Sequence, residues 1–437
     1  MHAVGYEPDV INLASSGQTQ QTEGTLSMRE FAFPDGFLWG AATAGHQVEG
    51  NNLNSESWVL EHLPATIYAE PSGDACDHYH RYPQDIALLA ELGFNAYRFS
   101  IEWARVEPEE GEFSYAELEH YRRMLATCHA HGIQPVVTFH HFTSPRWLIR
   151  AGGWLDDKTP DRFARYCERV TDHLGDLIGA ACTFNEPNLA ILLSKLLPFD
   201  LQAGPWWEAA ARAFGVTPDR LGLFQFVTAP RMREIILQAH CLAFDVLHAG
   251  PGSFPVGLTL ALLDIQAAEG GEQQAVAMRR ELAEHYLEAV RGDDFVGVQT
   301  YSRMVVGPAG VVRPGDDVEM NQMGEEFYPE ALGGTIRHAA AIAGIPILVT
   351  ENGLASTDDT RRVEYFRRAL RCVVDALEAG IDVRGYFAWS AFDNFEWVSG
   401  YRPKFGIIAV DRATQARTPK PSAYWLGEIA RSNRFLG

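Results

Sequence analysis

Two short stretches could do chemistry: Thr183-Phe184-Asn185-Glu186-Pro187 and Val349-Thr350-Glu351-Asn352-Gly353. Each is an apolar run ending in a carboxylate beside an amide. The two glutamates are far apart in the chain, so they meet only if the fold brings two strand ends together. Two carboxyl groups facing each other across a sugar are the minimum equipment for cleaving a glycosidic bond. One protonates the leaving oxygen while the other stabilises or captures the anomeric carbon. Glu186 suits the acid: Pro187 fixes the chain just after it, and apolar surroundings with a second carboxylate raise a carboxyl's pKa. Glu351 suits the nucleophile, which must stay ionised, and Arg98 and Tyr301 can hold it so by charge and hydrogen bonding. Alone, Asn-Glu-Pro could equally be a plain strand end; a second glutamate in the matching place gives it weight.

These residues need a scaffold. Apolar, β-branched or aromatic runs recur at 37–44, 96–103, 134–141, 182–187, 256–260, 295–301, 347–353 and 385–394. Several are apolar nearly throughout, as strands covered on both faces should be. Helical patterns fall between them, for example over 82–92 and 161–178; in the latter Phe163, Tyr166, Cys167, Val170 and Leu174 share one face. Eight strands alternating with helices predict an α/β fold, a single (β/α)8 barrel, with its active site at the C-terminal ends of the strands. Both glutamates fall there, as do Gln47, Arg98, His141, Tyr301 and Glu396. The long stretches 188–255 and 302–346 should overhang that face and shape a pocket. Residues 1–28 are polar and predict a mobile tail, leaving 29–437 as the barrel domain.

Bulk properties narrow the partners. The net charge of −21 opposes phosphate backbones and anionic lipid, so neither nucleic acid nor membrane is expected. Six scattered cysteines without a Cys-x-x-Cys pair read as reduced thiols. With no basic-then-apolar leader, a cytoplasmic protein is expected. His78, His80, His140 and His141 do not have metal-ligand spacing, and there is no Gly-rich phosphate loop, so neither metal nor cofactor is expected. The expected partner is a small-molecule β-glycoside or short oligosaccharide. Oligomeric state is not legible.

The chain resembles glycoside hydrolase family 1, the β-glucosidase family of retaining barrel enzymes, from about Phe31 to Trp425. The resemblance is carried by Phe37-Leu38-Trp39-Gly40-Ala41-Ala42-Thr43, Gln47-Val48-Glu49-Gly50, Tyr97-Arg98-Phe99-Ser100, the two glutamate motifs and Asp393-Asn394-Phe395-Glu396-Trp397, all in the family's order. It implies Glu186 as acid/base and Glu351 as nucleophile. It also implies sugar contacts at Gln47, His141, Asn185, Tyr301, Glu396 and Trp397, with Trp389 as a stacking wall. These types suit a pyranose, whose hydroxyls need donors and acceptors and whose C–H faces pack on rings. The implied activity is a retaining, exo-acting β-glucosidase on unphosphorylated β-D-glucosides, with fucosides and galactosides also open. A sugar-binding barrel without turnover would be expected to lose one carboxylate, and this chain keeps both.

Some positions depart from the family pattern. Gln299 stands where asparagine is usual, Phe142 where tryptophan is, and His46 where tyrosine is common. Glu325 occupies a position that often carries a tryptophan platform for the leaving group, so a more polar outer subsite is expected. Trp206 and Trp207 could replace that platform or simply pack their loop onto the barrel. Glu396 should disfavour 6-phosphorylated sugars by charge repulsion.

Overall fold

The computed structural model describes residues 30–197 and 200–436. Eight strands form a closed parallel barrel: β1 (Leu38–Ala42), β2 (Ala96–Ser100), β3 (Gln134–His140), β4 (Ala180–Asn185), β5 (Val256–Ala261), β6 (Phe295–Thr300), β7 (Ile347–Asn352) and β8 (Val383–Trp389). Neighbours in sequence are neighbours in the barrel, and β8 closes on β1. All eight apolar runs are therefore barrel strands. The expected tail at 1–28 lies outside the described residues.

Two cores hold the barrel. Inside it, Ala42, Ala96, Val136, Cys182, Phe295, Leu348 and Phe387 form one buried cluster. The small residues come from β1 to β4 and the large ones from β6 to β8, so that side chains of opposite strands fill one interior. Gly40 shows why: a Cβ there would lie 2.4 Å from the Phe387 ring. Outside, helix faces pack on the strands. In the helix Thr159–Leu174 the buried set includes Phe163, Tyr166, Cys167, Val170 and Leu174, the stripe read from the sequence. Pro160 starts that helix and Asp161 sits in its first turn, both favoured at a helix N-terminus. The helix ends at Leu174 rather than 178, because a 3-10 turn over Gly175–Leu177 takes over. The helix expected at 82–92 begins earlier, at His78, where the His78 ring meets Asp85 at 2.8 Å and ties its first turns together.

Short strands add to the barrel. A three-stranded sheet joins Asp264–Ala267, Arg303–Gly307 and Gly310–Val312 beside the ends of β5 and β6. Glu30–Ala32 pairs with Arg434–Leu436, and Ile408–Val410 with Arg417–Pro419. Among the described residues no helix is long and apolar enough to cross a membrane.

Gly353 couples the ends of β7 and β8. A Cβ at this position would lie 1.9 Å from the Trp389 carbonyl oxygen. Gly353→Ala should destabilise the fold by about 1–3 kcal/mol and lower turnover, since Glu351 and Trp389 would both be displaced. Urea denaturation with parallel assays checks this; unchanged stability would show that the two strand ends can separate freely.

Candidate active site

The sequence reading requires the two glutamate motifs to meet, and one side chain shows that they do. Arg98 rises from β2, fully buried. Its Nη1 donates to Glu351 Oε1 at 2.6 Å and its Nη2 to Asn185 Oδ1 at 2.6 Å. Tyr301, just past β6, donates its hydroxyl to Glu351 Oε2 at 2.6 Å. Glu351 thus faces a cation and a phenol. Glu186 meets no cation; its Oε1 accepts from the neutral amide Nε2 of Gln299 at 2.7 Å. Gln299 in turn accepts from Thr350 Oγ1 at 3.1 Å, which orients the amide. The extra methylene of glutamine over asparagine is accommodated.

Proton affinities follow from these surroundings. Burial raises Glu186 to about 8, the Glu351 charge adds to that, and the Gln299 bond and Arg98 oppose it. Burial also raises Glu351 above the ordinary carboxylate value, against the pull of Arg98 and the Tyr301 hydroxyl. When one proton is shared between them, it belongs on Glu186. Burial, with the nearby Glu351 charge, lifts Tyr301 well above the usual phenol value, so it stays a donor. Burial and then Arg98 hold His141 well below the usual imidazole value, so it is neutral.

Around this pair lies a pocket of about 240 Å³. Gln47, His141, Asn185, Glu186, Tyr301, Glu351, Trp389, Glu396 and Trp397 all line it, with Arg98 behind Glu351 and Asn185. Several of their polar atoms are buried without a protein partner: Gln47 Oε1, Asn185 Nδ2 and Glu396 Oε1. The orientations are set by their other ends. A guanidinium has only donors, so Asn185 must give it Oδ1 and present Nδ2. Gln47 Nε2 is taken by Phe395 O at 2.7 Å and Asn394 Oδ1 at 3.0 Å, leaving Oε1 outward. Buried, unmatched donors and acceptors beside rings are what a hydroxylated ring would satisfy. The rings are Trp389, which stacks on His141 at 5.8 Å, and Trp397, which stacks on His46 at 5.4 Å.

Other expectations need correction. Burial and the neighbouring Glu351 charge raise Glu396 to about 8, which weakens charge repulsion as the argument against a phosphate. Among the described residues the pocket has no Lys or Arg lining. A sugar phosphate would find no counterion there, which is the sounder argument against it. Glu325 does line the pocket, with Asn321 Nδ2 donating to it at 2.9 Å. The wall beside it is aliphatic, however, including Leu189, Leu193, Leu262 and Leu263. Glu325 therefore shares the pocket lining with aliphatic side chains. Trp206 and Trp207 are buried against Phe226 and each other, packing their loop. The leucines were missed because a leucine in a sequence reads as core. Phe405, whose ring edges Tyr301 at 5.7 Å, carries no local signal either.

Among the described residues no group of three His, Cys, Asp or Glu side chains is placed to hold a metal. A carboxyl pair at the C-terminal ends of barrel strands, one bonded to a cation and one to a neutral amide, in a pocket of unpartnered polar atoms and rings, defines the class: a glycoside hydrolase. The chain belongs to glycosyl hydrolase family 1, whose profile matches residues 29–198 and 292–435. It is 32% identical to thermostable beta-glucosidase B of Thermobispora bispora, with 92% of each chain covered. It is 31% identical to a bifunctional beta-D-glucosidase/beta-D-fucosidase of Bifidobacterium breve, over 90% of this chain and 97% of that one. The crystal structure of beta-glycosidase BGL167 superposes with a TM-score of 0.89 at 59% identity, covering 91% of this chain and 97% of the other.

Replacing Glu351 by Gln removes the negative neighbour that makes ionising Glu186 costly. The Glu186 carboxyl should then titrate lower than about 8, by about one unit or more. NMR titration of carbon-13-labelled glutamate measures this; an unmoved Glu186 would mean the two carboxyls do not sense each other.

Proposed function

We propose that the protein is a retaining, exo-acting β-glucosidase with Glu186 as acid/base and Glu351 as nucleophile. It acts on terminal unphosphorylated β-D-glucosides, with β-fucosides also accepted. The observation that carries the assignment is the asymmetry of the pair: Arg98 and Tyr301 both bond Glu351, and neither bonds Glu186.

In the first step Glu186 gives its proton to the glycosidic oxygen as the C1–O bond breaks. The bonding electrons leave with the aglycone. A Glu351 oxygen attacks C1 from the opposite face and forms a glycosyl ester. In the second step a water takes the aglycone's place, Glu186 removes its proton, and its oxygen displaces Glu351 from C1. Two inversions leave the β configuration intact. Asn185 Nδ2, beside the acid and without a protein partner, suits the sugar's 2-hydroxyl, whose hydrogen bond strengthens as the oxocarbenium-like state develops. Gln47 Oε1 and Glu396 serve other hydroxyls, and Trp389 and Trp397 the ring's apolar faces.

The cytoplasm is the compartment this reading favours. All six cysteines are free, with Cys76, Cys128, Cys167 and Cys182 buried, which suits a reducing environment.

Glu351→Gly should reduce kcat on 4-nitrophenyl β-D-glucoside by about 10⁴-fold or more. Azide should rescue Glu186→Ala to give the β-glycosyl azide; the α-azide alone would reverse the assignment. For the intact enzyme kcat/KM should fall as pH rises through about 8, where Glu186 loses its proton. An alkaline limb set by another group would survive Glu186→Gln on an activated substrate.

A further inference from the structure

We propose that the leaving-group half of the pocket is built for an aliphatic aglycone, so that β-glucosides of apolar alcohols are preferred over β-linked disaccharides. The inference rests on the reading of Glu186 as the acid, because that residue marks where the leaving oxygen sits.

The wall beside Glu186 belongs to the helix Leu189–Leu196, which starts three residues later. The Leu189 amide donates to the Glu186 carbonyl at 3.0 Å, so helix and acid are one unit. Leu189, Leu192 and Leu193 face the pocket from this helix, and Leu262 and Leu263 face it from the segment after β5. The wall is braced from behind: Leu189, Leu192 and Leu263 pack with Ile265, Leu282 and Met304 in a separate apolar cluster. Met323 and Val398, 40% and 39% exposed, carry the apolar surface out to the mouth. Part of the wall, including Leu262 and Leu263, lies in the stretch between the two matched segments of the family profile.

The polar groups on this side are few. Glu325 is held by Asn321, and Gln225 is buried nearby. They could serve one hydroxyl of an aglycone. A second pyranose carries several around its rim, and against leucine they would give up water for nothing. An alkyl chain has the opposite balance, since each methylene laid on the wall leaves water.

The experiment compares kcat/KM for methyl, butyl, hexyl and octyl β-D-glucosides, below their micellar concentrations, with cellobiose. We expect a rise of about twofold or more per methylene until the chain leaves the mouth, with cellobiose about tenfold or more below octyl glucoside. Leu193→Ser and Met323→Ser, neither of them fully buried, should each lower the octyl-to-methyl ratio. A flat series, or cellobiose preferred, while 4-nitrophenyl β-D-glucoside is still hydrolysed, overturns the aglycone inference and leaves the catalytic pair standing. No turnover of any β-glucoside by folded protein overturns both.

Discussion

The site depends on one buried cation. Arg98 is sealed in the barrel, where an unpaired guanidinium would cost several kcal/mol. It is compensated by Glu351 from β7 and Asn185 from β4, while Arg98 itself rides on β2. Three strands are thereby tied at one point, and the tie has chemical consequences. It stabilises negative charge on Glu351, fixes which end of Asn185 faces the pocket, and makes no hydrogen bond to Glu186. Two identical carboxyls acquire different surroundings: one bonds a cation and the other a neutral amide.

The pocket divides along the same line. On the Arg98 side its polar atoms are oriented by partners behind them and lack partners in front, a surface that only a multiply hydroxylated ligand completes. On the far side of Glu186 the surface is mostly leucine backed by more apolar core, with Glu325 and Gln225 as its polar groups. Glu396 belongs to the first half: burial and the Glu351 charge raise its pKa, and a carboxyl that takes up a proton can donate to a hydroxyl as well as accept.

Much of this was legible in the chain. The eight barrel strands were visible because strands covered on both faces are apolar along their length. The stripe of Phe163, Tyr166, Cys167, Val170 and Leu174 was visible for the analogous reason in a helix. The three-residue strands were not, since Glu30–Ala32 and Arg434–Leu436 exist only as each other's partners. The carboxylate pair was legible because each glutamate ends an apolar strand. The leucine wall was not: lining a cavity and filling a core call for the same residue, and only packing tells them apart. The raised proton affinity of Glu396 was not legible either, because sequence shows a carboxyl's type and not its burial.

The backbone at Glu186 explains why the acid and the aglycone wall are a single device. Pro187 disfavours the right-handed helical conformation for the residue before it, yet a helix must begin at Leu189. The chain resolves this with φ of 47° at Glu186, a left-handed conformation that few non-glycine residues take. Such a turn persists only where its surroundings over-determine it, and here they do. The Glu186 amide donates to Thr259 O at 2.9 Å, the Leu189 amide caps the Glu186 carbonyl, and Asn188 Nδ2 donates to Ala261 O at 2.7 Å. Asn188 Oδ1 takes the Ala261 amide at 3.1 Å, closing a two-way clamp. The turn therefore binds the end of β4 to the end of β5. Since the leucine wall grows from just past both strand ends, whatever positions the acid also positions the surface on which its leaving group rests.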